Sequence, residues 1–317
     1  MEATRFAFGK EILEIAKTHD DFVVCNADTK ACGIEAMADL FPTRSYSIGI
    51  AEQNLINVSA GLAASGFKVF ACTFAVFLTM RCCEQVRNFV CHTKLNVTLV
   101  GTHTGLQVGE DGATHAAVED VAIMGAMPNM TIIQPADAVA ARAIAHAAHK
   151  FVGPLYVRLH RNPSPVIYDD SYSFEVGKAT VVRNDGDDVA LISSGIMLQK
   201  ALDAADALKV KGIKARVIDM STLKPLDEAA VLTAAKATHA VVTIEDHSTI
   251  GGLGAAVAQV LSQQYPCFLK CIGIPDVYGE SGPSEMLYTK YHMDVPSIVA
   301  ASEKLVARKQ SASVALA

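Results

Sequence analysis

Several short segments of this 317-residue sequence carry side chains whose types and spacing could do chemistry. The first is I-G-I-A-E-Q-N (residues 48–54), where one carboxylate, Glu52, enters the start of an apolar, Gly/Ala-rich stretch. A carboxylate at a helix start gains from the positive end of the helix dipole, but losing water costs it several kcal/mol unless it has a partner. Taken alone, Glu52 fits a first-turn helix residue better than a catalyst, so the neighbouring motifs must decide its role.

A pair of aromatic residues lies in T-F-A-V-F (residues 73–77), where a strand gives way to a helix. Phe74 and Phe77 are three residues apart, so both rings can lie on one face. They could form a flat apolar wall for an aromatic ring. Plain core packing is the alternative.

A polar, glycine-rich loop (residues 101–115) directly follows a strand and contains His103, Asp111 and His115. In open α/β sheets, ligands bind beyond the carboxyl ends of the strands, where this loop should lie. Histidine exchanges a proton near neutral pH, and glycines let the backbone approach a ligand closely. The histidine spacing does not suit a zinc site, so we predict no metal ligands and expect a partner such as sugar hydroxyls.

Two further motifs could hold an anion. R-L-H-R-N (residues 158–162) ends a strand, and an arginine fork there could bind a phosphate, although a solvated strand end is equally consistent. E-D-H-S-T-I-G-G-L-G (residues 245–254) superficially resembles a phosphate cradle but lacks the G-x-G-x-x-G spacing. We interpret it as tight packing of a strand against the following helix.

The elements that position these residues alternate between buried strands and helices, which predicts mainly parallel sheets covered on both faces. The first series has helices at 4–18, 52–65, 76–91, 118–126 and 137–150, and strands at 22–25, 68–73, 96–101, 130–134 and 155–158. The second has strands at 188–193, 215–219, 240–245 and 268–272, and helices at 197–211, 227–237 and 252–263. A proline-containing polar stretch predicts a boundary near 165–180, dividing the chain into domains 1–170 and 171–317.

Composition excludes several classes of function. The net charge is −6, without a long run of Lys or Arg, so nucleic acid and anionic lipid are not expected partners. The apolar stretches are too short to span a bilayer. The N-terminus lacks the layout of a secretory signal, which predicts a cytoplasmic protein. The eight cysteines lie mostly in apolar runs without a C-x-x-C pair, so we expect buried, reduced thiols.

Taken in order, S-I-G-I-A-E-Q-N (47–54), T-F-A-V-F (73–77), G-E-D-G-A-T-H (109–115) and V-R-L-H-R-N (157–162) resemble the second half of thiamine diphosphate enzymes of the transketolase type. K-P-L-D (224–227) and the segment 245–254 resemble the carboxyl-terminal domain of that family. The resemblance covers about residues 4–305. It implies an α/β protein with a pyrimidine-binding domain on a parallel sheet, followed by a smaller transketolase C-terminal domain.

One family motif is missing. The G-D-G sequence that holds the cofactor diphosphate and its divalent metal does not occur in this chain. The resemblance therefore implies a split enzyme. A separate N-terminal subunit would supply the diphosphate site and the Mg or Ca ion, and the two kinds of chain would form an α2β2 heterotetramer. The expected activity is transfer of a two-carbon ketol unit from an anionic ketose to an aldose.

The resemblance also implies roles for individual residues. Glu52 would hydrogen-bond N1′ of the aminopyrimidine of thiamine diphosphate, and Phe74 and Phe77 would pack against that ring. The remaining cofactor-pocket positions are Asp28 and Met80, the latter replacing an aromatic residue. The residues expected to contact substrate are His103, His115, Asp111, Arg161, Arg5 and Cys32. The two histidines are also expected, with Glu52, to be catalytic.

Cys32 stands where a phosphate-contacting serine often stands, four residues after Asp28. A thiol is a weaker donor than a hydroxyl. The terminal group bound by Arg161 is therefore left open between an ordinary sugar phosphate, a sulfonate and a branched-sugar phosphate.

Three alternatives remain at this point. A deoxyxylulose-phosphate-synthase-like chain and a 2-oxo-acid dehydrogenase E1 β-like chain share the pyrimidine-domain plan and the cofactor. The G-E-D-G-A-T-H loop with His103 upstream favours a sugar substrate, because a polyol needs several hydrogen-bonding partners. A non-catalytic regulatory subunit is the third alternative, and the presence of Glu52 argues against it.

Overall fold

The protein is described by a computed structural model that covers residues 1–30, 32–34 and 36–315. It contains two α/β units in chain order. The strands of the first unit are β1 (Phe22–Asn26), β2 (Ser45–Ser47), β3 (Lys68–Phe74), β4 (Val97–Thr102), β5 (Thr131–Ile133) and β6 (Leu155–Arg158). Those of the second are β7 (Thr180–Asn184), β8 (Val189–Ser193), β9 (Ala215–Asp219), β10 (Thr222–Lys224), β11 (Ala240–Ser248) and β12 (Phe268–Ile274).

The helices surround these strands. In the first unit they are α1 (Thr4–Ala16), α2 (Ala36–Leu40), α3 (Glu52–Ala64), α4 (Cys83–Gln85), α5 (Asp120–Gly125) and α6 (Ala138–Lys150). In the second unit they are α7 (Met197–Val210), α8 (Glu228–Thr238), α9 (Leu253–Gln264), α10 (Ser284–Lys290) and α11 (Val295–Ala315). Among the described residues, no helix is both long and apolar enough to cross a membrane.

The strands form a seven-stranded sheet in the order β10-β5-β6-β4-β3-β1-β2 and a five-stranded sheet in the order β12-β11-β8-β9-β7. The expectation of two α/β units with mainly parallel sheets is confirmed. Two strands depart from it, because β10 pairs antiparallel with β5 and β7 pairs antiparallel with β9. Both lie at sheet edges, where the alternation of buried strands with crossover helices does not constrain direction.

Local sequence explains the boundaries of the helix that carries Glu52. Residues Leu55, Ile56, Ser59, Ala60 and Ala63 of α3 are buried, at the spacing of one helix face. The helix ends where Gly66 adopts a φ of +100°, which lets the Phe67 N–H donate to the Leu62 carbonyl. Glu52 is thereby fixed at the first turn.

The predicted helix over 76–91 is interrupted. Phe77–Arg81 and Val86–Cys91 are π-helical turns on either side of α4. A π turn adds a residue per turn and changes which side chains share a face, and such turns are frequent at functional sites. The predicted bounds of 76–91 rest on the apolar pattern of the sequence, and that pattern does not distinguish α-helical from π-helical turns.

A buried polar network joins the two units. Arg158, 1% exposed, donates from Nε to Asp120 Oδ2 at 2.8 Å and from Nη2 to the Asp246 carbonyl at 2.8 Å. The hydroxyl of Tyr156 donates to Asp120 Oδ2 at 2.6 Å, and that of Tyr288 donates to Asp246 Oδ2 at 2.9 Å. Because buried charges are stable only when paired and hydrogen-bonded, this network fixes the end of β6 against β11.

The expectation of reduced thiols is wrong for two cysteines. Cys32 and Cys72 form a disulfide, with Cα atoms 7.2 Å apart. The segment at Cys32 crosses α1 so closely that a Cβ on Gly9 would lie 1.8 Å from the Cys32 carbonyl oxygen. This approach holds Cys32 in the same apolar cluster as Cys72 of β3. The free cysteines are Cys25, Cys82, Cys83, Cys91, Cys267 and Cys271.

Candidate active site

The candidate residues collect at the carboxyl edge of the first sheet. Phe74 is the last residue of β3, His103 directly follows β4, and Arg161 follows β6 by three residues. Glu52 begins the helix after β2, and Asp28 lies two residues beyond β1. These strands are parallel neighbours, so their carboxyl ends share one edge, which is where ligands bind in open α/β sheets.

Glu52 is 4% exposed and has a charged partner that the sequence analysis missed. Its Oε2 accepts a hydrogen bond from Arg81 Nη1 at 2.7 Å, and the Arg81 side chain is 47% exposed. The guanidinium supplies the compensation that a buried carboxylate needs. The signal in the sequence that could have indicated this partner is a lone arginine, four residues after Phe77, in a run without other charges.

Phe74 and Phe77 form a flat aromatic wall. Their rings are parallel within 3°, with centroids 6.1 Å apart. His103 stacks on Phe74 at 4.0 Å, and His115 meets Phe77 edge-on at 5.2 Å. The structure therefore brings together two aromatic rings and two imidazoles that the sequence places in separate segments.

His103 is nearly buried, and its environment disfavours a positive charge. Burial, followed by the charges of Arg5, Arg161 and His115, lowers its pKa to about 3. Its Nδ1 lies 3.0 Å from the Thr102 hydroxyl. A neutral imidazole offers one hydrogen-bond donor and one acceptor, so near neutral pH His103 can hydrogen-bond a hydroxyl without adding charge.

Two arginines and one carboxylate lie beside this wall. Arg161 Nη1 donates to the Val108 carbonyl and to Asp111 Oδ2, the latter at 3.1 Å. Arg5 Nε donates to the Arg161 carbonyl at 3.1 Å. The Arg161 side chain is 32% exposed, so part of it reaches solvent while Nη1 is held by the loop. This arrangement can bind a terminal anionic group.

Three candidate residues lie differently. Asp28 is exposed, with a φ of +53°, and its amide donates to Asn26 Oδ1. Met80 is 38% exposed on the first π turn. The assignment of Cys32 to substrate is corrected, because Cys32 is 1% exposed and its sulfur is bonded to Cys72, leaving no thiol to donate.

The glycine-rich turn at 245–254 packs a strand against a helix, which confirms its structural interpretation. The carboxylate of Glu245 accepts hydrogen bonds from the amides of Leu253 and Gly254 at 2.7 and 2.8 Å. A Cβ on Gly252 would lie 2.0 Å from Glu245 Oε2. The start of α9 is therefore filled by a side chain of this protein rather than shaped for a phosphate.

Within the described ranges, no group of three or more His, Cys, Asp and Glu side chains could hold a metal ion. The two imidazoles of the site contact the aromatic wall, and the carboxylates of Glu52 and Asp111 pair with arginines.

Comparisons with known proteins match both units. The transketolase pyrimidine binding domain matches residues 1–165, and the transketolase C-terminal domain matches residues 177–298. The fold and site therefore define the class of α/β proteins that join a pyrimidine-binding domain to a transketolase C-terminal domain. The chain belongs to the transketolase family, whose members depend on thiamine diphosphate.

The similar proteins include separate subunits of about this length. A putative transketolase C-terminal section from Methanocaldococcus jannaschii is 42% identical over 298 residues, which cover 93% of each chain. The 6-deoxy-6-sulfo-D-fructose transketolase subunit SqwH of Clostridium sp. is 39% identical and covers 94% of this chain and 92% of its own. A solved split gene transketolase, described as an inactive beta4 tetramer, has 44% identity, a TM-score of 0.90 and coverage of 97% and 99%.

Proposed function

We propose that this chain is the pyrimidine-binding and C-terminal subunit of a split, thiamine diphosphate-dependent transketolase. The observation that carries the proposal is the buried Glu52 carboxylate beside the parallel rings of Phe74 and Phe77. A flat heteroaromatic ring with a basic nitrogen fits between an aromatic wall and a carboxylate. The stretch 166–176, which neither domain match includes, supports a division near 170/171.

The bound cofactor supplies the means to break and form a carbon–carbon bond next to a ketose carbonyl. In this proposal Glu52 binds N1′ of the aminopyrimidine and holds the proton shared with it. Phe77 and Phe74 fix the plane of the ring and exclude water from one face. The proposal keeps the exposed residues Asp28 and Met80 as cofactor-pocket positions.

The substrate residues act beside that wall. His103 and His115 hydrogen-bond substrate hydroxyls and can move protons between them. Arg161 and Arg5 bind the terminal anionic group, and Asp111 orients the Arg161 guanidinium through the bond at 3.1 Å. A planar guanidinium suits phosphate and sulfonate alike. The sulfo-sugar named for the Clostridium relative supports an anionic donor without choosing between these groups.

The proposal requires a partner. A separate N-terminal transketolase subunit supplies the diphosphate site and the divalent metal, and the two chains assemble as α2β2. Two observations support it: the chain has no G-D-G motif, and its relatives include separately encoded subunits of the same extent. We also propose a cytoplasmic location for the assembled enzyme.

Reconstitution with the diphosphate-binding subunit tests the function. The mixture with thiamine diphosphate and Mg is assayed for ketol transfer from a phosphorylated or sulfonated ketose to an aldose, and separately for turnover of pyruvate. We expect ketol transfer only when both subunits are present. Turnover of pyruvate alone would instead support the synthase-like or E1 β-like alternatives, and sedimentation without association would contradict the split-subunit proposal.

A further inference from the structure

Arg81 makes two contacts in the pocket proposed for the cofactor. Its Nη1 lies 2.7 Å from Glu52 Oε2, and its guanidinium carbon lies 4.2 Å from the centroid of the Phe77 ring. The same planar group therefore hydrogen-bonds the buried carboxylate and covers the face of an aromatic ring. Guanidinium groups stack on aromatic faces in this way because they are flat and delocalised.

These are the two contacts that the proposed function assigns to the aminopyrimidine. A flat ring needs the face of Phe77, and its N1′ needs the carboxylate of Glu52. Arg81 already provides a flat, nitrogen-bearing group for both. Two groups cannot use the same face and the same carboxylate oxygen together.

We propose that the Arg81 side chain acts as a stand-in for the pyrimidine of the cofactor. In the cofactor-free chain its guanidinium occupies the pyrimidine position, and it must leave before the cofactor can bind. The inference rests on the proposed function, because it uses the same pocket. Without the cofactor and without Arg81, Glu52 would be a buried carboxylate with no charged partner, which is costly. Arg81 compensates that charge and keeps the carboxylate oriented, so it is a positioning residue.

The surroundings of Arg81 allow its side chain to leave. Nearly half of that side chain is exposed, so the guanidinium can move into solvent without uncovering a core. The Arg81 carbonyl accepts a hydrogen bond from Gln53 Nε2 at 3.2 Å, which anchors the backbone next to the start of α3. Displacement of the side chain therefore costs the two contacts in the pocket rather than local folding.

In this proposal the Arg81 guanidinium and the pyrimidine compete for the same pocket. A ligand that must displace an intramolecular group binds more weakly by the fraction of chains in which the pocket is open. Removing the guanidinium should therefore tighten binding of the pyrimidine, whereas a merely structural role for Arg81 would weaken it.

The test titrates the full-length isolated chain with 4-amino-5-hydroxymethyl-2-methylpyrimidine, the aminopyrimidine without its diphosphate, and follows binding by calorimetry. R81M removes the guanidinium and keeps an apolar stem. We expect it to bind the pyrimidine roughly fivefold more tightly than the unmodified chain, the scale of a partly exposed ion pair. R87M is the matched control, because the Arg87 side chain is exposed and donates to its neighbour Asn88 rather than to Glu52; its affinity should not change.

Equal or weaker binding by R81M, or no binding by either chain, would overturn the stand-in role. If R81M does not fold, R81K replaces it: lysine keeps the charge without the planar fork, and an affinity no higher than that of the unmodified chain would again overturn the role. F77A separates this failure from failure of the proposed function. Loss of binding in F77A and R81M/F77A supports the pocket whatever the effect of R81M, whereas binding that ignores Phe77 contradicts the proposed cofactor site itself.

Discussion

Replacing Glu52 by glutamine removes the charge of the carboxylate and keeps its size. The side chain is almost fully buried and starts α3, so glutamine can occupy the same space. It cannot share a proton with N1′ as a carboxylate can. Loss of one buried group that stabilises developing charge typically costs about 10²–10³ in rate. We expect the reconstituted enzyme to lose ketol transfer by roughly that factor, measured in steady state at saturating cofactor.

The same substitution should hardly change stability. It removes an ion pair whose Arg81 side chain is half-exposed, which is worth about 1 kcal/mol or less. For 317 residues at roughly 2.1 cal/mol/K of unfolding entropy per residue, that corresponds to a fall of at most about 1–2 °C in the midpoint of thermal unfolding. E84Q is the matched control, because Glu84 is exposed on the neighbouring α4 and should leave both quantities unchanged. An E52Q complex that assembles and retains activity within about threefold would refute the role of the carboxylate and support a non-catalytic subunit.

Three other outcomes follow from the structure. R161M should raise the KM for an anionic ketose about tenfold or more, since one charged hydrogen bond is lost, while a neutral ketose should be little affected; equal KM changes for both would contradict the anion site. R158M should lower stability by about 3–5 kcal/mol in urea unfolding, because it leaves a buried carboxylate unpaired; a loss below about 1 kcal/mol would count against the network. Two further buried histidines are His160, two residues after β6, and His247 in β11. Burial is the main cause that lowers the pKa of His103 and His160 to about 3 and that of His247 to about 4, whereas unfolded histidine titrates near 6.5. The unfolded chain therefore binds these protons first, so stability present above about pH 6.5 should fall by roughly 1.4 kcal/mol per pH unit per histidine as the pH drops toward 4; a flat urea midpoint from pH 6.5 to 4.5 would contradict this.

The fold was largely predictable because its signals are local. Buried strands of four to six residues, alternating with helices, indicated most elements to within a few residues. The strands missed by this pattern, β2, β7 and β10, are short or part-exposed edge strands whose composition resembles a loop. The π turns around α4 were missed because an apolar run has similar spacing in α and π geometry.

The site was predictable in outline for the same reason. Phe74 ends β3, His103 directly follows β4 and Arg161 follows β6 by three residues, and the parallel arrangement of those strands then places them at one edge. Cys32 was wrongly assigned because a position matched by motif carries no information about what lies across the sheet.

The sequence by itself determined the alternation of elements, the residues at the strand ends and the absence of a G-D-G motif, because each depends on neighbours in the chain. Only the tertiary structure decided the pairing of Glu52 with Arg81, of Cys32 with Cys72 and of Arg158 with Asp246, which are 29, 40 and 88 residues apart. Such contacts depend on strand order and on how loops cross the sheet edge. No periodicity within one segment encodes them, since each requires two segments to reach the same place.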